Sequence, residues 1–264
     1  MADFGAKDVQ ALRQSTGAGM MDAKKALVHN DGDPAAAAKW LREKGLASAA
    51  GRSDRDNVEG CVAVVEADGA GAIVELKCET DFVAKSDEFT GLADEIAAAV
   101  AAKGSDAADQ FASRIDDMRL TLKENIELGQ VHHIAPAEGA VLGVYKHVQA
   151  GRGVNGVLVA VAGATDEIAN ELTLHIAFAK PRYLSRDDVP EDDIETERTT
   201  LTEITRNEGK PEAALDKIVA GRLNGWFAEQ CLLDQKFVRD EKQTVSQYLG
   251  DAAITRFAQV VIGG

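Results

Sequence analysis

The sequence predicts an α+β fold in which a small three-helix module precedes a mixed core with an inserted antiparallel coiled-coil hairpin. Three observations support this fold. Short helical patterns fill the first 50 residues, β-rich runs followed by a helical pattern occur twice, and an acidic helical stretch interrupts the second half. A chain of 264 residues is long enough for a small module and a larger core. We expect an N-terminal module at 1–51, a linker at 52–58, core subdomains at 59–139 and 140–264, and the hairpin at about 187–228.

Turn and capping residues delimit three helices in the N-terminal module. The paired glycines of Thr16–Gly19 favour a tight turn that separates the first two helices. Asp33 offers an N-cap and Pro34 a first-turn residue for the third helix. The predicted helices run from about Ala6 to Ser15, from Met20 to just before Asn30, and from Pro34 to Gly45.

The core begins after a polar linker and repeats one order of elements. Gly51–Asn57 is polar, and the nearly balanced charge of the N-terminal module gives way there to an acidic remainder. The pattern then predicts two strands and a helix, twice, which suggests an internal duplication. A further helix over Asp109–Asn125 bridges the two halves. The predicted elements are strands Gly60–Glu66 and Ala72–Cys78, helix Asp87–Lys103, strands Ala140–Val148 and Gly156–Ala162, and helix Asp166–Lys180.

The spacing of apolar residues and a helix-breaking segment predict the helical hairpin, and further elements are predicted after it. Ile194, Leu201 and Ile204 recur at near-heptad spacing, and Gly209–Pro211 breaks the pattern. The second helix of the hairpin is predicted to place Leu215, Ile218, Arg222 and Trp226 along one stripe. Beyond it we expect three elements that return to the core: Lys236–Val238, a helix at Asp240–Leu249, and Ile254–Ile262.

Composition excludes several classes of protein. The net charge of −15 disfavours a protein held to nucleic acid by phosphate contacts. No run approaches the roughly 20 apolar residues of a membrane span, and the N-terminus lacks the build of a signal peptide. The three cysteines are widely spaced, which suits a reducing compartment and argues against a disulfide scaffold. We therefore expect a soluble, cytoplasmic protein.

Three patterns resemble chemical sites but favour structural interpretations. Gly151–Gly156 has the spacing of a dinucleotide fingerprint, yet it joins two predicted strands and does not open a helix, so a hairpin loop is the better interpretation. His132 and His133 lack a third ligand nearby and are expected to be solvated in a loop. An acidic cluster is expected to be a solvated helix face, with a divalent cation as the weaker alternative. That cluster comprises Asp187, Asp188, Glu191, Asp192 and Asp193.

The connection Thr80–Lys85 is the one segment whose residues fit a structural role poorly. It lies between the second predicted strand and its helix, where Asp81 can cap the helix. Phe82 is a large apolar residue at the tip of this polar connection. Two interpretations stay open: the ring folds back into the core, or it is an exposed aromatic anchor for a partner.

Four stretches in the same order resemble the bacterial translation elongation factor Ts family. The first is Leu12–Leu27 (LRQSTGAGMMDAKKAL) and the second is Glu79–Lys85 (ETDFVAK). The third is His175–Pro181 (HIAFAKP), and the fourth is Gln235–Val238 (QKFV) with Lys242–Val245 (KQTV). The first two motifs together are highly specific, and the resemblance covers essentially the whole chain.

This resemblance implies a guanine-nucleotide exchange factor for elongation factor Tu, with no cofactor or catalytic site of its own and no direct binding of nucleotide, nucleic acid or membrane. It also implies that the three-helix module is similar to ubiquitin-associated domains. Asp81 and Phe82 would wedge between two helices of the Tu G domain and dislocate its Mg²⁺, with Thr80 and Val83 completing the tip. His147 matches a contact with a second Tu domain. The positions that match the grip of the N-terminal module on the G domain are Arg13, Met20, Met21 and Lys24.

Two other functions stay open on the residues alone. A binding module built on the N-terminal helices would hold a partner without changing its nucleotide affinity. A metal-dependent hydrolase using the acidic hairpin would show turnover that a chelator abolishes.

Overall fold

The N-terminal helices pack around a small apolar core. The computed structural model describes residues 4–50 and 54–263, and for residues 46–50 it describes the backbone only. The helices are α1 (Ala6–Thr16), α2 (Met20–His29) and α3 (Pro34–Ala50). Gly17, with φ +67°, closes α1 in the left-handed conformation that favours glycine. The buried residues of this core are Val9, Leu12, Ala23, Ala26, Leu27 and Ala37.

The first two helices confirm the prediction, whereas the expected end of the third is wrong. α3 continues past Gly45 to Ala50. A glycine inside a helix costs only about 1 kcal/mol relative to alanine, so the alanine-rich sequence around it can override the break. The first two residues of the predicted linker, 52 and 53, lie outside the described residues.

The first sheet has three antiparallel strands in the order β1-β2-β3. The β1–β2 turn consists of Asp68 and Gly69, both with positive φ, which matches the hairpin turn that suits the twist of the strands. The predicted helix at 87–103 is confirmed as α5, and the helix predicted at 109–125 begins as a 3-10 helix at Ser105–Phe111 and continues as α6. The elements are β1 (Glu59–Ala67), β2 (Ala70–Cys78), α4 (Asp81–Ala84), α5 (Asp87–Lys103), α6 (Ala112–Leu122) and β3 (Glu127–Ile134).

The prediction for His132 and His133 is wrong, because both lie in strand β3 and not in a loop. Both are half-buried, and His132 pairs with Ile73 of β2. Burial, together with the nearby Arg256, lowers the pKa of His132, whereas the carboxylate of Glu75 acts in the opposite direction.

The second half begins with a strand hairpin and a helix. These are β4 (Ala140–Gln149), β5 (Arg152–Ala162) and α7 (Asp166–Ala179). Ala150 and Gly151 form the β4–β5 turn with positive φ, and the remainder of the predicted hairpin loop is already strand β5. The Gly151–Gly156 run therefore opens no helix.

Two helices, α8 (Glu191–Asn207) and α9 (Leu215–Gln230), follow and pack together. The predicted stripe on α9 is wrong by one residue beyond Leu215, since the buried positions repeat every four residues and Arg222 and Trp226 stay half-exposed. On α8, Ile204 is exposed although the near-heptad spacing placed it on the apolar stripe, and the adjacent Thr205 is buried. Arg222 and Glu208 form an ion pair at 2.6 Å where the two helices meet. The buried stripe of α9 is Leu215, Val219, Leu223 and Phe227.

The chain ends with β6 (Lys236–Phe237), β7 (Asp240–Thr244), α10 (Val245–Leu249) and β8 (Ala253–Val261). The helix predicted over Asp240–Leu249 is wrong in its first half, because β7 pairs with β6 before α10 begins at a capping box on Thr244. The second sheet has the order β4-β5-β8, so each sheet consists of a hairpin and a third strand that returns beside its second strand.

The two sheets pack closely against each other. A Cβ atom at Gly153 would lie 2.1 Å from the carbonyl oxygen of Val62, and one at Gly156 would lie 2.7 Å from the Val62 side chain. Arg152 donates to the carbonyl oxygen of Gly60 at 2.8 Å and pairs with Glu59. The mixture of helices and antiparallel sheets confirms the α+β class, while the division into domains stays a prediction. The layer between the sheets contains Val62, Val64, Ile73, Ile134, Leu158, Ala160, Ala258 and Val260.

Candidate partner-binding site

The tip at Thr80–Val83 forms where β2 leaves the first sheet. Cys78, the last residue of β2, is buried, and its thiol donates to the carbonyl oxygen of Thr80 at 3.3 Å. Thr80 is the N-cap of α4, since its hydroxyl accepts from the N–H of Val83. The expectation that Asp81 caps the helix after the second strand is wrong, because Thr80 caps α4 and Ser86 caps α5. Asp81 is the first residue of α4.

A carboxylate from a distant part of the chain fixes this turn. One oxygen of Glu124 accepts from the backbone N–H groups of Glu79 and Thr80, each at 3.1 Å, and the other accepts from the Thr80 hydroxyl at 2.5 Å. In return, the Glu79 carboxylate accepts from the backbone N–H of Asn125 at 2.6 Å. Hydrogen bonds to a carboxylate are stronger than those between neutral groups. The two segments thus hold each other in one conformation.

Phe82 points away from the core. Its exposed fraction is 83%, whereas Ala84 is fully buried and Val83 packs against the core of the first sheet. Ser86 donates to the carbonyl oxygen of Val83 at 2.8 Å and so closes the turn behind the ring. Of the two interpretations that the sequence left open, the buried one is wrong. α4 is anchored on one side and presents an aromatic ring to solvent on the other.

Asp81 carries a negative charge beside this ring. Lys85 forms an ion pair with its carboxylate at 2.5 Å, one turn along the chain. The hydrogen bond from Lys85 is the main reason that the pKa of Asp81 lies below its ordinary value. Asp81 is therefore ionised at neutral pH, and the tip combines a carboxylate with an exposed ring.

The N-terminal residues expected to contact a partner are all exposed. Arg13 lies on α1, and Lys24 lies on the outer face of α2. The exposed fractions of Met20 and Met21 are 48% and 62%, so both methionines face solvent. Flexible methionine side chains at the start of a helix suit a protein-binding surface.

His147 lies on the second sheet near the end of β4. It pairs with Asn155 of β5 and is exposed, and its Nδ1 lies 3.3 Å from the hydroxyl of Tyr145. No hydrogen bond or ion pair among the described residues joins His147, the tip and the N-terminal group. The structure thus places the candidate residues in three separate groups.

The acidic cluster shows local partners in place of a metal site. Asp188 accepts from Ser185, and Asp193 accepts from the hydroxyl of Tyr183 and pairs with Arg182. Within residues 4–50 and 54–263, no group of three or more His, Cys, Asp or Glu side chains is arranged to hold a metal ion.

Sequence reasoning missed two hydrogen-bond networks, one at Glu124 that positions the tip and one at His175 in the second half of the chain. Glu124 follows α6 immediately after Lys123, whose φ of +60° turns the chain toward the tip, and no local pattern marks that role. His175 is buried, accepts from the N–H of Val238 at Nδ1, and contacts the Gln235 side-chain oxygen through Nε2 at 2.9 Å. Two motifs that carry the family resemblance contain His175 and Gln235, but their contact spans 60 residues.

Comparisons with known proteins agree on one family. The family profile of elongation factor TS matches residues 79–264. Relatives named elongation factor Ts from Clavibacter sepedonicus and Renibacterium salmoninarum are each 44% identical, and the relative from Micrococcus luteus is 43% identical. Each alignment covers 100% of this chain and 100% of the relative. Within the described part of the chain, no helix is long and apolar enough to cross a bilayer.

Proposed function

Because the chain belongs to the elongation factor Ts family and so has a role in translation elongation, we propose that it acts as a guanine-nucleotide exchange factor for elongation factor Tu. The observation that carries this proposal is the tip, where Phe82 is 83% exposed on a turn that Glu124 fixes. The chain is a binding protein in this role and needs no active site. It works in the cytoplasm, where translation takes place.

Phe82 supplies the binding energy that a wedge requires. Burying an exposed phenylalanine side chain contributes about 1.5–3 kcal/mol. Because the tip is already ordered by hydrogen bonds to Glu124, little of that energy is lost in ordering it on binding. The ring therefore enters a partner as a rigid element, together with Thr80 and Val83.

The carboxylate of Asp81 adds an electrostatic effect. Mg²⁺ and a phosphate loop hold a nucleoside diphosphate largely through charge. An ionised carboxylate brought close to that site competes for the cation, and insertion of the ring shifts the elements that hold it. Asp81 and Phe82 together would thus dislocate Mg²⁺ and weaken GDP.

The chain and GDP affect each other's binding to Tu reciprocally. If the chain lowers the affinity of Tu for GDP, GDP must lower the affinity of Tu for the chain by the same factor. The chain then binds nucleotide-free Tu most tightly and leaves when a nucleotide returns. It speeds release without changing the overall equilibrium between GDP and GTP.

The other two groups of residues provide grip. Arg13, Met20, Met21 and Lys24 would bind the G domain through the three-helix N-terminal module, which is similar to ubiquitin-associated domains. His147 would touch a second domain of Tu. Contacts on both sides of the wedge orient it, and they contribute to affinity whether or not GDP is bound.

Stopped-flow release of a fluorescent GDP analogue from Tu tests the proposal. Substoichiometric amounts of the chain should accelerate release in a saturable way, and Phe82→Ala should reduce the second-order efficiency about 10- to 100-fold, as expected for losing about 1.5–3 kcal/mol. Phe178→Ala is the matched control, because Phe178 is also an exposed phenylalanine, at 76%, but lies at the end of α7.

Both variants should keep the melting temperature of the unaltered chain. If the unaltered chain binds Tu but does not accelerate GDP release, the alternative function, a binding module built on the N-terminal helices, is favoured instead. Equal effects of the two phenylalanine substitutions would refute the wedge.

A further inference from the structure

Helix α6 contacts the core on one face and the N-terminal module on another. Its residues Ile115 and Met118 are buried in the core of the first sheet. Asp117, Leu120 and Thr121 have the spacing i, i+3 and i+4, so they share a different face of the helix. This second face is turned toward α3 and the turn between α1 and α2. α6 therefore lies between the two parts of the chain.

Gly45 allows α3 to come close to this face. A Cβ atom at Gly45 would lie 2.7 Å from Cδ2 of Leu120, well inside the contact distance of about 3.5–4.0 Å between carbon atoms. One turn earlier on both helices, Arg42 forms an ion pair with Asp117 at 3.3 Å. The two helices thus run side by side over these contacts. An open crevice lined by both lies beside them, so the interface is narrow.

The turn between α1 and α2 approaches the end of α6. A Cβ atom at Gly17 would lie 3.2 Å from the methyl carbon of Thr121. Gly17 closes α1 by donating its N–H to the carbonyl oxygen of Arg13 at 2.9 Å, and α2 begins at Met20. Two of the residues proposed to grip Tu, Arg13 and Met20, therefore flank a turn that lies against α6.

The same end of α6 leads to the residue that holds the tip. Lys123, with φ +60°, turns the chain out of the helix, and Glu124 then accepts from the backbone N–H groups of Glu79 and Thr80. Glu124 follows Thr121 by only three positions. The N-terminal module and the tip are thus both attached to one end of one helix.

We propose that α6 sets the orientation of the N-terminal module relative to the tip, so that both reach Tu in one preformed arrangement. Arg42, Gly45 and Leu120 are the positioning residues. A preformed arrangement avoids the cost of ordering two parts of the chain on binding. Once one part has bound, it also keeps the other at a high effective concentration near its site. This inference rests on the proposed exchange function.

Gly45→Ala separates positioning from stability. Alanine favours a helix more than glycine does, so α3 should not be weakened, whereas the added Cβ atom pushes Leu120 away. The melting temperature should be unchanged or higher. In the release assay, the half-saturating concentration of the chain should rise about 3- to 10-fold, because part of the effective concentration is lost. The maximal release rate should stay unchanged, because the tip is intact.

Gly221→Ala is the matched control for this substitution. Gly221 lies inside α9, where a Cβ atom would be more than 4 Å from every described residue outside its own helix. It therefore gains the same helix-forming tendency without a displaced neighbour, and its release curve should match that of the unaltered chain. A half-saturating concentration that rises equally in both glycine variants would overturn the proposal.

The ion pair supplies a test by rescue. Arg42→Asp places two carboxylates opposite each other, and Asp117→Arg places two guanidinium groups there. Each should raise the half-saturating concentration about 2- to 5-fold, the range expected for exposed ion pairs. The double variant restores the attraction and should return close to the unaltered value. If these residues acted by touching Tu directly, the double variant would not be rescued, and that result would overturn the positioning role.

Spin labels on two introduced cysteines measure the orientation itself. Gln10→Cys on α1 and Ala102→Cys on α5 place the labels at exposed positions in the two parts of the chain. The native cysteines are buried, and burial raises the pKa of the Cys61 and Cys78 thiols to about 12 and that of Cys231 to about 11. They should therefore stay unlabelled while the introduced thiols react.

Pulsed electron resonance then gives the distribution of distances between the labels. The unaltered chain should give one narrow distribution that keeps its mean when nucleotide-free Tu is added. Gly45→Ala should broaden the distribution in the free chain. A broad distribution in the unaltered chain, or a new mean distance in the presence of Tu, would overturn the preformed arrangement.

The outcomes separate the role of α6 from the exchange function. No acceleration of GDP release by the unaltered chain refutes the exchange function, whereas the distances in the free chain still test the orientation. Normal acceleration with identical curves for Gly45→Ala and Gly221→Ala refutes the positioning role alone.

Discussion

Replacing Glu124 by alanine removes the anchor of the tip without touching the ring that enters the partner. Glu124 accepts three hydrogen bonds, two of them from backbone N–H groups of Glu79 and Thr80 at 3.1 Å. A hydrogen bond to a charged group contributes about 1.5–3 kcal/mol when buried. Because Glu124 is half-exposed and water replaces part of what is lost, we expect Glu124→Ala to lower the free energy of unfolding by about 2 kcal/mol.

The same loss should weaken exchange through the order of the tip. If all of about 2 kcal/mol acted on the tip conformation, the competent fraction would fall about 30-fold. Since part of the loss affects the packing of Asn125 and its neighbours instead, a rise of about 3- to 30-fold in the half-saturating concentration is expected. Stopped-flow nucleotide release measures this value, and thermal melting measures stability.

The conservative variant separates positioning from general stability. In Glu124→Gln, the amide oxygen can accept the two backbone N–H bonds, and the amide nitrogen can donate to the Thr80 hydroxyl. It should therefore recover most of the exchange activity. If Glu124→Ala lowers the melting temperature but leaves the half-saturating concentration unchanged, the reasoning about the tip is refuted.

Three further predictions follow from other parts of the structure. His147→Ala should slow exchange less than Phe82→Ala, because the imidazole is exposed and, within residues 4–50 and 54–263, its polar contact is with the Tyr145 hydroxyl; an equal effect in the release assay would reverse this ranking. Burial raises the pKa of the Cys61 and Cys78 thiols to about 12, so neither should react with a thiol reagent at pH 8 until denaturant is added; rapid labelling of the folded chain would contradict this. Burial also lowers the pKa of His175 below its ordinary 6.5, so below about pH 6.5 the unfolded chain binds more protons than the folded chain, and the free energy of unfolding falls by up to about 1.4 kcal/mol per pH unit. In denaturant titrations, His175→Phe should flatten this slope. An unchanged slope would mean that His175 is charged in the folded state.

Local patterns predicted most of the regular elements because local chemistry determines them. The helix at Asp87–Lys103 is confirmed at both ends, since Ser86 caps it and Gly104 ends it. The hairpin of β1 and β2 follows from two β-rich runs around a glycine-containing turn.

The missed strands β3 and β7 are strands because of their pairing and not because of their own sequence pattern. β3 is an edge strand of its sheet, and its pairing with β2 shifts register between Leu128 and Val131, which oppose Leu76 and Val74, so an extra residue in β3 disturbs the alternation by which a strand is recognised. β7 is polar throughout and is a strand only because it pairs with the two-residue β6.

The same limit applies to the candidate site. The motif identified Thr80–Val83, but the exposure of Phe82 depends on Glu124, which lies 44 residues beyond Thr80 in the chain. A large apolar residue in a short connection is buried or exposed according to which side of the turn is anchored. The local sequence around Phe82 does not reveal that Glu124 anchors this turn.

Binding of the chain to Tu with and without GDP tests the central claim most directly. Isothermal titration calorimetry gives the affinity of the chain for nucleotide-free Tu and for Tu saturated with GDP. The wedge predicts weaker binding to the GDP form, by the same factor by which a saturating amount of the chain weakens GDP. Phe82→Ala should bring the two affinities closer together. Equal affinities of the unaltered chain for both forms would contradict the account, because a ligand that does not distinguish the two states cannot drive nucleotide release.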